Sequence, residues 1–383
     1  MTADTPFRIS HSCAGDARQA AREFHAGVAQ PDMAMVVFFC SSDYDLAALA
    51  DELNQLFGSV PVIGCTTAGE IGSAGYRAQS LSGVSFGAGA GAAVAACLPD
   101  LAHFDVVRGQ EFVSDLLHRL DEQPVKGSRA FALLLIDGLS VREEPVVQAL
   151  QAALGSIHLC GGSAGDDLKF VRTQVFHDGV FHDNSAVLLL VSTPLPVRIF
   201  KTQNFISENE RLVVTEADAE HRIVKEINGL PAAEEYARVL GVSVEDLTPD
   251  HFAATPVVVV LDGTDYVRSI QKANPDGTLT FYCAIEEGIV LRVARGGDIY
   301  SNLEQTFANL REEIGPPALT LGCDCILRNL EITQKQLKGP VGELFRRNNT
   351  VGFSTYGEQY GGVHVNQTFT GIAIGSADEE KHD

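Results

Sequence analysis

Positive charge is scarce in this 383-residue sequence: 28 Lys and Arg stand against 50 Asp and Glu, for a formal net charge of −22. No basic cluster larger than the pair Arg346-Arg347 relieves that balance. Nucleic acid and anionic membranes both require a basic face, so neither is expected as a partner. The opening "MTADTPFRIS" has no basic segment leading into an apolar one, so no signal peptide is expected. The longest apolar runs, "SAVLLLVST" from Ser185 and "TPVVVVLDG" from Thr255, are far too short to span a bilayer, and a cytoplasmic location follows as the expectation.

Chemistry-bearing motifs are missing too. Eight cysteines are scattered without a disulfide framework, and Cys40, Cys160 and Cys283 sit inside apolar runs as small buried hydrophobes. Cys323 and Cys325 flank Asp324, but no second pair completes a zinc site. No C-x-x-C-H is present for covalent haem. No G-x-S-x-G elbow occurs, and no acid, base and nucleophile can be assigned together, so the chain is not expected to be an enzyme. The glycines of "GAGAG" from Gly87 to Gly91 are followed by a small-residue strand pattern where a nucleotide loop needs a helix; they read as the joint of a hairpin between "SLSGVSFG" and "GAAVAACLP".

What is present is repetition. Thr67-Ala68-Gly69-Glu70, Ser163-Ala164-Gly165-Asp166 and Thr355-Tyr356-Gly357-Glu358 each follow an apolar run that reads as a buried strand. Upstream of each stands another strand-like run, from Met33, Arg129 and Ala318, followed by helical spacing. The unit is strand, helix, strand and glycine-acid turn, about 35 to 40 residues long. One such turn is ordinary architecture, with glycine supplying positive φ and the polar residues satisfying free amides. Three equivalent turns could converge on one end of the assembly and line one cavity. Thr67, Gly69, Glu70, Ser163, Gly165, Asp166, Tyr356, Gly357 and Glu358 are therefore the candidate ligand-binding residues.

Apolar content of 45% and regular glycine punctuation give a globular α/β to α+β chain of mixed sheets packed by helices, and its length favours two domains. The expected division is an N-terminal extension with a helix over 1–33, domains at 34–210 and 211–376, and a charged tail at 377–383. Ser42 or Asp43 is the expected cap of the first unit's helix, and Gly58 its stop. His177-Asp178-Gly179 reads as a hairpin turn that sets His177 and His182 on opposite strands, and Ile227-Asn228-Gly229 as another. His364, with Asn366 and Thr368, shares a face of the strand after the third turn and could bind a ligand or an iron through a ring nitrogen, or simply fix the strand by hydrogen bonds.

The stretches "VIGCTTAGEI", "GGSAGDDLKF" and "STYGEQY" followed by "HVNQTFTG", in that order, resemble the signatures of the FIST sensory domain, N-terminal part then C-terminal part. The resemblance runs from about Ala34 to Gly375. It implies a ligand-binding input module of signalling. A stand-alone subgroup, which this chain resembles in "VVFFCSSDYDL" with "VIGCTTAGEI", binds haem b non-covalently and senses nitric oxide, regulating a separate histidine kinase or cyclic-di-GMP enzyme. On that resemblance His364, His177 and His182, in that order, are the candidates for the iron ligand. The alternative is a haem-free sensor that binds an amino acid or another small molecule through the three acidic turns. A homo-oligomer is compatible with either.

Overall fold

A computed structural model of the chain describes residues 5–124, 127–261 and 264–376. The charged tail at 377–383 lies outside them. The three repeats fold to one plan. In the first, the parallel strands Met35–Ser41 and Val62–Thr67 are joined by the helix Leu46–Phe57. In the second, Arg129–Ile136 and His158–Ser163 flank the helix Glu143–Leu154. In the third, Leu319–Cys325 and Thr350–Thr355 flank the helices Ile326–Gln334 and Lys338–Arg347.

Two antiparallel strands extend each pair on the side of its first strand: Leu81–Phe86 then Phe7–Ser12, Ala186–Thr193 then Ala92–Leu98, and Phe369–Ile374 then Val197–Thr202. The other side is completed by a hairpin donated from a neighbouring unit. The first unit's hairpin, Glu70–Gly72 with Gly75–Arg77, pairs with Thr350–Thr355 of the third. The second unit's, Val175–His177 with Val180–His182, pairs with Val62–Thr67 of the first. The third unit's, Glu358–Tyr360 with Val363–Val365, pairs with His158–Ser163 of the second. The exchange closes a ring of three.

This arrangement explains why the strands read as continuous apolar runs: both faces of each sheet are covered. Alternate residues Met35, Val37 and Phe39 meet Phe131, Leu133 and Leu135 and Leu319, Leu321 and Cys323 in one shared core. The intervening Val36, Phe38 and Cys40, and likewise Ala132, Leu134 and Ile136, face their own unit's helices. Phe39 of the first unit stacks on Phe353 of the third, ring centroids 4.7 Å apart.

Two local expectations are corrected. Leu81–Phe86 and Ala92–Leu98 do not form a hairpin, because each pairs within its own sheet and the glycines between them carry the chain from the first unit to the second. Gly91, at φ 106°, has no room for a side chain, since a Cβ would lie 2.1 Å from the carbonyl of Ser192. The cap of Leu46–Phe57 is Asp45, whose carboxylate accepts from the Ala48 amide at 3.0 Å. Gly58 ends that helix as expected, at φ 58°. Both hairpin turns form, with paired positive φ at Asp178 and Gly179 (47° and 81°) and at Asn228 and Gly229 (54° and 76°).

Between Val197–Thr202 and its helix Ile299–Ile314, the third unit is interrupted. The strands from Phe205–Asp218 to Val290–Gly296 build a further sheet with its own core around Leu212, Val224, Tyr236, Phe252 and Leu291. The chain enters and leaves this insertion side by side, the Gly297 amide donating to the Asn204 carbonyl at 2.6 Å. Position 210/211 falls inside the strand Phe205–Asp218. Among the described residues no helix is long and apolar enough to cross a membrane.

If the three units share one core, Phe353→Ala should lower stability by about 3–5 kcal/mol, the usual effect of emptying a buried aromatic site. Urea unfolding followed by probes in the first and third units should then show coincident, equally shifted transitions. Separate transitions would contradict the shared core.

Candidate ligand-binding site

The three acidic turns stand at the C-terminal ends of the parallel strands, and the ring brings them together. Ala68 donates its amide to the Ser354 carbonyl at 3.0 Å, and Ser354 to that of Gly69 at 2.7 Å. Gly165 donates to Thr66 at 3.0 Å, and Ser163 to Gly357 at 2.8 Å. Each turn therefore touches both others. They do not line a cavity, however: Thr67, Glu70, Ser163, Asp166, Thr355, Tyr356 and Glu358 are all buried against one another. A Cβ on Gly165 would lie 2.9 Å from the Ala68 nitrogen, so this close approach requires glycine.

The acids fasten the turns. Glu70 accepts from the Thr67 hydroxyl and from the amide and hydroxyl of Ser80, at 3.1 and 2.6 Å. Glu358 does the same with Thr368, at 3.1 and 2.8 Å. Ser80 and Thr368 each precede the last strand of their unit, so both glutamates staple turn to sheet. Asp166 has a shorter reach and instead accepts the amides of Phe170, Val171 and Arg172. Those bonds hold a loop in which Asp167, Leu168 and Phe170 all have positive φ, a conformation that raises the energy by about 1 kcal/mol or more per residue. Tyr356 reaches across from the third unit, its hydroxyl bonded to Asp166 and accepting from the Leu168 amide at 2.9 Å.

The insertion covers this end of the core. Tyr282 completes an aromatic trio with Phe170 and Tyr356, with centroids 5.1 to 6.0 Å apart. On one flank, Arg222 of the insertion binds Glu143 and Glu144 of the second unit, and the Ala284 amide donates to Glu144 at 2.6 Å. On the other, Arg328 is fully buried against Asp324 at 2.7 Å and Asn204 at 2.9 Å. Ser269 donates its amide to Asn366, and Gln367 donates to the Phe252 carbonyl, across the same seam.

Hydrogen bonding is incomplete in the third unit and its insertion, the seam included. Thirteen buried side-chain polar atoms among the described residues have no partner, and all belong to residues from Gln203 onward. They include Arg268 Nε, Ser269 Oγ, Arg328 Nη2, Glu358 Oε1, His364 Nε2 and Asn366 Nδ2. The first two units, built on the same plan, contribute none. Buried polar atoms in folded proteins are almost always paired with protein, water or ligand, so this concentration makes the region the candidate site.

Burial holds His364 neutral by lowering its pKa, with the carboxylates of Glu144 and Glu143 opposing. Its Nε2 edge packs on Gly357, where a Cβ would come within 2.6 Å of it, and the residue is only 2% exposed. His177 borders a groove of about 700 Å³ between the first and second units, but its ring is engaged by Asp178 and the Ala95 backbone. His182 Nε2 lies 3.1 Å from the His177 carbonyl. None of the three offers an unpartnered ring nitrogen to a slot that could take a porphyrin, so these residues do not fit haem in this structure.

Residues 34–230 match the FIST N domain and residues 232–361 the FIST C domain. The chain belongs to the FIST family. FIST domains are sensory modules of signal transduction, generally non-catalytic. A search of curated proteins finds no match. In this FIST chain the two matched regions meet inside the insertion, so the FIST N match holds the first unit without its outer strand Phe7–Ser12, the whole second unit and the first strand of the third. The FIST C match supplies most of the insertion and the third parallel pair.

Sequence reasoning located the turns and put His364 beside Asn366, but it missed Arg222, Arg268, Ser269 and Arg328. Only Arg328 left a signal: it stands four residues after Asp324, the spacing of an ion pair on one helical turn.

Burial raises the Glu70 pKa from 4.5 to about 8, against the three hydrogen bonds that favour its charged form. The folded protein thus keeps a proton that the unfolded chain has released, so stability falls as pH rises from about 4.5 to about 8. Glu70→Gln should flatten that decline, measured by urea unfolding at intervals between pH 5 and 8. An unchanged slope would contradict a neutral Glu70.

Proposed function

We propose that this FIST protein senses a small polar molecule held in the seam between its insertion and its three-unit core, and passes the change in that seam to a separate signalling protein. The carrying observation is the asymmetry of polar satisfaction. Two units built to the plan are complete, and the third, with its insertion, leaves donors and acceptors unpaired. A molecule bearing both kinds of group, as an amino acid does, complements such a lining better than a porphyrin, and the three histidines considered for iron do not favour haem. The output partner is a histidine kinase or a cyclic-di-GMP enzyme, carried by the family resemblance. A ligand that bridges insertion and core binds the closed arrangement preferentially and shifts the population toward it.

Thermal unfolding with individual amino acids, alongside an absorption spectrum of protein prepared with haem supplied, tests the choice. At a hundredfold excess over its Kd, a seam ligand should add about 2.7 kcal/mol. A Soret band that shifts with nitric oxide and is lost in His364→Ala, with no stabilisation by small molecules, would overturn the proposal.

A further inference from the structure

Each unit's sheet ends, on the side away from the hairpin it receives, in an outer strand with one free edge: Phe7–Ser12, Ala92–Leu98 and Val197–Thr202. The three edges differ. In Ala92–Leu98 the Ala95 carbonyl accepts from Arg119 Nη2 at 3.0 Å, and His177 closes on the same backbone. Those side chains plug the edge, a common guard against strand pairing. Phe7–Ser12 borders a groove of only about 280 Å³. Val197–Thr202 stands open.

Register fixes which of its groups are free. The Gly375 amide donates to the Pro196 carbonyl at 2.9 Å, so in the antiparallel ladder with Phe369–Ile374 it is Arg198 and Phe200 that bond inward. Val197, Ile199 and Lys201 turn their backbone groups the other way, where no hydrogen bond among the described residues meets them. All three residues are half-buried. Two grooves flank the strand, of about 640 and 340 Å³, with Arg198, Ile199 and Tyr360 as shared walls.

The larger groove is basic, in a chain whose net charge is −22. Arg129, His158 and Arg198 line it, and no Asp or Glu among the described residues does. Arg198 is paired with Glu313 at 2.7 Å, whereas Arg129 meets the Pro194 carbonyl at 3.1 Å and no carboxylate among the described residues. Lys201, at the far end of the strand, likewise has no carboxylate there. Its Nζ stands 4.9 Å from the centre of the Tyr266 ring and 6.0 Å from that of Tyr360.

We infer that Val197–Thr202 is a docking edge that takes an acidic, extended segment of the signalling partner as an added strand. The segment's backbone supplies the hydrogen bonds that Val197, Ile199 and Lys201 lack, and its carboxylates meet Arg129 and Lys201. The same cations oppose the pairing of two copies of this edge, so they select the partner. The inference rests on this chain being a sensor with a separate output protein. Docking is measured without any seam ligand, so its failure and that of the seam site are distinguishable.

Fluorescence anisotropy with a labelled Glu-Val-Glu-Val-Glu-Val peptide, and with Lys-Val-Lys-Val-Lys-Val as control, provides the test. The acidic peptide should bind the full chain and the basic one should not, with hydrogen exchange slowed at the amides of Val197, Ile199 and Lys201. Ile199→Pro removes one outward N–H, leaves the ladder to Phe369–Ile374 in place, and should weaken binding at least about tenfold. Arg129→Glu, at an exposed position, should do the same and decides the matter if Ile199→Pro does not fold. No binding of the acidic peptide, equal binding of both peptides, or wild-type affinity in a folded variant overturns the proposal. So does a dimer in sedimentation velocity that Ile199→Pro abolishes, since the edge would then belong to a second copy.

Discussion

Each sheet of this protein ends in strands that belong to its neighbour. The hairpin that leaves an acidic turn must cross to the next unit, so the turn is pulled to the common axis and its backbone bonds to the turns beside it. No unit can complete its sheet or bury its inner face alone. The shared core, the burial of the turns and the fastening role of Glu70, Asp166 and Glu358 all follow from that constraint.

A ring of three equal units would leave its strand-end face symmetrical. The insertion breaks that symmetry by entering the third unit through one paired crossing at Asn204 and Gly297 and folding over the turns. It brings an aromatic, Tyr282, to the centre and an arginine, Arg222, to the flank, and with them a polar seam in which several buried side-chain atoms have no hydrogen-bond partner. Ligands of open α/β sheets bind beyond the carboxyl ends of parallel strands. Here that end is closed by the turns, and unpaired polar atoms lie one layer further out, against the cover.

Much of the fold was legible in the sequence. The strand, helix, strand and turn order of each repeat, Gly58 as a stop and the Asp178-Gly179 and Asn228-Gly229 turns follow from local chemistry that the structure keeps. The exchange of hairpins was not legible, because Glu70-Ile71-Gly72 carries the same pattern whether it pairs at home or next door. Gly91 illustrates the same limit: its flanking strands looked like partners, yet each was claimed by a different sheet. The candidate site was half legible. The turns were recognised because they repeat, whereas Arg268 and Ser269 occur once, in a strand remote from His364, and only tertiary packing joins them.

A high-resolution crystal structure of the protein purified without added carboxylate or phosphate salts would test the central claim most directly. The account predicts continuous density for a small molecule in the seam, within hydrogen-bond distance of Asn366 Nδ2 and His364 Nε2. Density for separate ordered waters alone, pairing each of those atoms, would contradict it.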